Sequence, residues 1–166
     1  MVKDTKKSVR FWLMKSEPDV FSFDDLVSSP KKTAPWEGVR NYQARNIMRD
    51  EMPVGQQVFF YHSSCKEPGI YGVAEVVKLA YPDHTALDPA NEYFCKVSAK
   101  RNESQWCMVD VRAVARMQKP VLLSQIKDCA GLSEMMVIKK GSRLSIQPVT
   151  ADEWKIILDL GSPKKI

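Results

Sequence analysis

The chain has 166 residues, 44% of them hydrophobic, with a formal net charge of +5. That length supports one packed domain, and no apolar run reaches the ~18–20 residues of a membrane-spanning helix. The surplus charge sits at the ends, because the 19 basic and 19 acidic residues of 11–160 cancel; this excludes a body built to coat a polyanion by bulk charge.

Residues 1–10, MVKDTKKSVR, have no apolar segment of the secretory type and carry an acid that mitochondrial presequences avoid. Residues 1–8 are expected as a flexible basic tail. VRFWLMK (9–15) alternates Val9, Phe11 and Leu13 with Arg10, Trp12 and Met14, the pattern of a strand. Ser22-Phe23-Asp24-Asp25 reads as a capped short helix, and residues 28–35 as a loop. Asn41 is a good N-cap for a helix over 42–51, with Ala44, Ile47 and Met48 inward and Tyr42, Arg45 and Arg49 on another face. Residues 57–63 form an apolar strand, 70–79 a long second strand, and 82–104 a loop-rich excursion. Residues 106–117 return to strand, and a short helix follows at 124–128 behind Ser124. A hairpin-like pair is expected around Gly141, with RLSIQPV as its second arm. Thr150-Ala151-Asp152-Glu153 is a capping box that opens a last helix, closed by Gly161. Residues 162–166 are expected as a second basic tail. Many strands separated by short helices predict a single mixed β-barrel domain.

Enzyme signatures are missing from the sequence: no P-loop, GxGxxG, GxSxG or HExxH is present. Gly69-Ile-Tyr-Gly72 opens a strand and reads as a turn. His84 lies in a Pro-Asp-His turn and is expected to be exposed. His62 ends an apolar strand near Cys65, but no third group orients a Cys–His pair, so it reads as structural. Asp24 and Asp25 are acids at a helix opening. Cys65, Cys95, Cys107 and Cys129 are far apart without CxxC spacing, as free thiols of a reducing compartment are. An intracellular, soluble protein is expected, and the few dispersed lysines at the ends leave nucleus and cytoplasm both open.

WEGVRNYQARN (36–46) is the stretch richest in flat, hydrogen-bonding groups. Arg and Asn can make bidentate bonds to base edges, and Trp and Tyr faces stack on bases. Spacing alone leaves both a structural and a base-binding role open.

FWLMKSEP (11–18), WEGVRNYQARN, FFYHSS (59–64), AYPDHT (80–85), MVDV (108–111) and RLSIQPVT (143–150) together resemble the EVE domain, in order over roughly residues 10–160. That family belongs to the PUA-like superfamily, with the YTH and ASCH domains. The resemblance implies an α+β fold, a PUA-like mixed β-pseudobarrel with peripheral short helices, as one domain over 9–161. It implies a non-enzymatic nucleic-acid-binding module that recognises a modified nucleobase, a modified cytosine in DNA or a modified base in RNA. Carried over by motif, the pocket takes Trp12, Lys15 and Ser16 from the first strand. The long motif adds Trp36, Val39, Arg40, Asn41, Tyr42, Arg45 and Asn46. Tyr61, His62 and Ser63 come from the FFYHSS strand, and Arg143, Leu144 and Ser145 from the late strand. The resemblance thereby moves His62 from a structural to a pocket role. No cofactor, metal or membrane is expected, and the state expected is a monomer. The resemblance is weakest over 86–105, which leaves that loop's conformation open. Two alternatives remain: an ASCH-like amidohydrolase acting on a small modified nucleoside, with Lys15 and Glu17 as base and acid, and a protein-interaction adaptor.

Overall fold

Two long strands organise the molecule, a computed structural model that describes residues 11–166. β4 (Gly69–Pro82) and β5 (Cys107–Leu122) pair antiparallel, and their register slips at four places. Such irregularities bend a strand pair and tighten its twist. β3 (Gln57–His62) adds to β4, and β1 (Phe11–Ser16) joins β3 in parallel. β6 (Ile146–Val149) then pairs antiparallel with β1. The other edge of β5 carries β2 (Thr33–Pro35) on its first half and β7 (Pro163–Lys165) on its second. The path β2-β5-β4-β3-β1-β6 does not close on itself. The α+β class of a PUA-like fold is therefore present, with an open mixed sheet in place of a closed barrel.

Among the described residues, five short α-helices lie around this sheet. α1 (Phe23–Ser28) starts with the expected capping box between Ser22 and Asp25. α2 (Tyr42–Glu51) starts at Asn41, whose side chain accepts from Ala44 N–H, and it buries Ala44, Ile47 and Met48. α3 (Lys96–Arg101) lies inside the stretch expected to be loop-rich. α4 (Leu123–Asp128) begins one residue before Ser124, with the Gln125 side chain accepting from Leu122 N–H at 2.9 Å. α5 (Ala151–Gly161) has the expected box between Thr150 and Glu153.

Alternate residues of β1 and β3 feed two apolar clusters. Trp12, Met14, Val58 and Phe60 enter one, with Trp36 and the inner face of α2. Leu13, Phe59 and Tyr61 enter the other, with Trp154 and Ile157 of α5. Phe59 stacks on Trp154 with centroids 3.7 Å apart. Phe60 is the hub of the first cluster, meeting Trp36 at 5.3 Å and Phe23 at 5.5 Å edge to face.

Four local expectations need correction. Residues 28–35 are not all loop, since Pro30–Lys32 form a 3-10 turn that delivers the chain to β2. No hairpin forms around Gly141. The chain turns there at φ 77, but a 3-10 turn precedes it at Met136–Ile138, and β6 finds its partner in the free edge of β1. Gly161 is the last helical residue; Ser162 takes the left-handed conformation, at φ 44. A Cβ at Gly161 would lie 2.3 Å from the sulfur of Met117, so a side chain there would displace that methionine. Residues 163–165, expected within a tail, are a strand. Residues 1–8, and Val9 and Arg10 of the first strand, lie outside the described residues.

Candidate functional site

A cavity of ≈ 580 Å³ opens where β1 ends. Lys15 and Ser16 form one side, the turn that follows contributes Glu17 and Phe21, and residues 34–40 pass along another side. Tyr93 and Ser145 complete it. Backbone bonds fix these pieces together. Lys15 N–H donates to Ser145 O at 2.8 Å, Ser63 N–H to Ser16 O at 3.0 Å, and Trp36 N–H to Val109 O at 2.7 Å. The Ser16 hydroxyl donates to Phe21 O at 2.5 Å and holds the turn over the strand end.

The loop of residues 36–40 is shaped by a carboxylate behind it. Asp83 is 0% exposed. Its Oδ2 accepts from Gly38 N–H at 2.9 Å and from Arg40 Nη1 at 3.0 Å. Its Oδ1 accepts from Thr85 N–H and from the Thr85 hydroxyl. Burial alone would raise this carboxyl's pKa; the bonds from Thr85, Gly38 and Arg40, with the Arg40 charge, bring it below the usual range. Gly38 sits at φ 82 with its Cα against the Tyr93 ring, so a Cβ would meet that ring at 2.5 Å. Only glycine meets both demands.

Arg40 is spent on the same construction. Its Nε and Nη2 both donate to Tyr93 O, at 3.1 and 2.8 Å. Nη1 also reaches Val39 O, and Nη2 reaches Thr85 Oγ1. The guanidinium therefore clamps the loop of Tyr93 against the loop of residues 36–40. A donor committed to four partners is a poor reader of a ligand edge.

Of the residues expected at a pocket, Lys15, Ser16, Trp36, Val39, Arg40 and Ser145 border this cavity. The others stand elsewhere. Asn41 caps α2. Tyr42 stacks on Trp106 at 4.8 Å, and the Arg45 guanidinium lies beside the pair, 4.8 Å from the Tyr42 ring and 5.9 Å from that of Trp106. Arg45 donates to Asn46 Oδ1 and to Gln105 O, welding α2 to the start of β5. Trp12, Asn46 and Leu144 border a second groove of ≈ 650 Å³ beside α2 and β6. Trp12 is 1% exposed, with its indole N–H donating to Gln56 Oε1. Tyr61 lies in the second apolar cluster, where burial pushes its hydroxyl up to about 12. His62 accepts from Phe23 N–H at 3.0 Å and stacks on Tyr71 at 4.0 Å. Burial lowers its pKa, which keeps Nε2 an acceptor. Its place is to anchor α1. Ser63 and Arg143 are not among the cavity's lining residues. His84 is exposed, as expected.

Phe21, Glu37, Gly38, Glu92 and Tyr93 also border the cavity, with Asp83 behind them, and no motif of the sequence marks them as pocket residues. The Glu37 carboxyl is raised by burial and by the charges of Asp83 and Glu92, against His84 and Arg40. Among the described residues no three His, Cys, Asp or Glu side chains group as a metal site, and no helix is long and apolar enough to cross a membrane. The cavity can offer flat walls at Trp36 and Tyr93, hydroxyls at Ser16 and Ser145, an ammonium at Lys15 and carboxylates at its rim.

The family model described as EVE domain matches residues 10–160. Thymocyte nuclear protein 1 of Gallus gallus is 44% identical over 179 residues, covering 98% of this chain and 73% of its own. A solved structure of a hypothetical protein from Leishmania major is 49% identical with a TM-score of 0.86, covering 94% of this chain and 96% of its own. The structure of human THYN1 protein in complex with 5-methylcytosine containing DNA is 42% identical with a TM-score of 0.83, covering 93% and 99%. An ASCH protein from Zymomonas mobilis, 12% identical with a TM-score of 0.51, shares the fold alone.

Proposed function

The chain belongs to the EVE domain family, and from that premise we propose that it is a non-enzymatic DNA-binding module that holds a modified cytosine in the cavity beside Lys15, Trp36 and Tyr93. The observation that carries the reading is the likeness, over nearly the whole chain, to a protein whose structure contains 5-methylcytosine DNA. The cavity supports it. Its ≈ 580 Å³ falls within the ~300–1,000 Å³ usual for small-ligand sites. A base drawn from a duplex costs a few kcal/mol of lost stacking, and new stacking on an aromatic face returns ~1–3 kcal/mol. The relatives are named nuclear proteins, which favours the nucleus as the place of action.

Fluorescence anisotropy with otherwise identical oligonucleotides carrying 5-methylcytosine or cytosine at one position tests the reading. The modified DNA is expected to bind severalfold more tightly. Equal affinities overturn the proposal. Mass spectrometry of the same mixtures is expected to recover the modified base unchanged; product that disappears with Lys15→Ala would favour amidohydrolase chemistry instead.

A further inference from the structure

The cavity is lined by groups of both charges. Around Tyr93 stand carboxylates: the phenol's pKa is raised by burial and then by the charges of Glu92, Glu37 and Glu17. Lys15 borders the same cavity from the end of β1. Its pKa is lowered by burial alone, with no carboxylate offsetting it, and its half-buried ammonium has no hydrogen bond or ion pair among the described residues. Both arginines of the neighbouring motif are already used, Arg40 on Asp83, Thr85 and Tyr93, and Arg45 on Asn46 and Gln105. Leaving a charge partly desolvated and unpaired is costly, and a ligand acceptor at that position would remove the cost.

Resting on the reader proposal, we propose that Lys15 is the base-edge donor of the cavity: its ammonium donates to the N3 and O2 acceptors of a cytosine, while a rim carboxylate accepts from the exocyclic amine. An ammonium has three donors and no acceptor. It matches cytosine, whose N3 is a bare acceptor, and opposes thymine, whose N3 carries a proton. Thymine and 5-methylcytosine share the 5-methyl group. Stacking and the methyl contact therefore cannot separate them, and the polar edge must.

The test uses three single-stranded oligonucleotides of one sequence, with 5-methylcytosine, cytosine or thymine at the centre, titrated at several salt concentrations. The wild-type chain is expected to prefer 5-methylcytosine over thymine by about tenfold or more. Lys15→Met should lose that preference by weakening the cytosine complexes alone, with the salt slope unchanged. Lys15→Gln, run in parallel, offers both a donor and an acceptor; it should lose affinity for 5-methylcytosine and gain it for thymine. Melting curves of both variants establish that the fold is intact, and the Gln variant carries the test if the Met variant melts early. Equal weakening of all three oligonucleotides, with the salt slope reduced by about one phosphate's share, overturns the inference and makes Lys15 a backbone contact. Preserved discrimination overturns it too, without touching the reader proposal. A wild-type chain that binds all three alike overturns both.

Discussion

Trp36 and Tyr42 stand six residues apart in one motif, and each is followed by an arginine, yet Trp36 is 7% exposed and Tyr42 is 55% exposed. The difference comes from Asn41 between them. Before that cap the chain is an irregular loop that turns at Gly38, so residues 36–40 can face the core on one side and the cavity on the other. After it, helical spacing places Tyr42 and Arg45 three residues apart on one outward face. The first half of the motif builds the cavity, with Arg40 as its clamp. The second half fastens α2 to Trp106 and Gln105. A cluster of flat hydrogen-bonding groups in a sequence can thus be mostly scaffolding, with the ligand-facing groups supplied by its neighbours.

The sharpest break of this contrast is Trp36→Ala. The indole fills the first apolar cluster edge-on to Phe60, and its loss should cost about 3–5 kcal/mol, read by chemical denaturation, with binding lost as well. Arg40→Met comes next. It leaves the buried Asp83 carboxylate with its Gly38 and Thr85 bonds but no countercharge. Because Arg40 is itself partly exposed, the expected cost is about 2–4 kcal/mol, and the freed Tyr93 loop should abolish base discrimination. Tyr42→Ala should cost only about 0.5–1.5 kcal/mol, the share of one aromatic pair whose Tyr42 member is exposed. It should leave the ratio of affinities for modified and unmodified DNA unchanged. A lost ratio with Tyr42→Ala would reverse the assignment of the two halves.

The smallest effect is a dependence on pH. The Asp83 carboxyl titrates below its unfolded value of about 3.9. The unfolded chain therefore binds its proton first, and the stability Asp83 contributes is complete above that value. It is lost as pH falls through the folded pKa. Asp83→Asn should flatten the denaturation midpoint against pH below about 4 while lowering it at neutral pH. No comparable change is expected from Asp50→Asn on the outer face of α2, where the ion pair with Arg49 is exposed at both ends.

Helices were the most legible part of the sequence where a cap and a period agreed, as at Asn41 with Ala44, Ile47 and Met48, and at Thr150 with Glu153. Strand pairing was not. Nothing local to RLSIQPV says that its partner is β1 and not the segment before Gly141. The cavity was half legible. Lys15, Ser16, Trp36, Val39, Arg40 and Ser145 lie in motifs read as one pocket, and they do border one cavity. Tyr93 lay in the stretch with the weakest pattern, and its position is set by the reach of Arg40 across 53 residues. Asp83 read only as part of a turn, because a buried carboxylate is recognisable only once its donors are known. Trp12 is sealed in the first apolar cluster, Tyr61 in the second, and His62 is taken up by the packing of α1, none of which a motif records.

The central claim is that the base sits against residues 36–40 and not on α2, and backbone amide chemical shifts test it most directly. The labelled protein would be titrated with an oligonucleotide carrying a single 5-methylcytosine. The largest shifts are expected at Lys15, Ser16, Trp36, Gly38, Tyr93 and Ser145, with Tyr42, Arg45, Asn46 and Trp106 nearly still. Shifts concentrated on α2 and Trp106, or on the groove beside Trp12 and Leu144, would contradict the account.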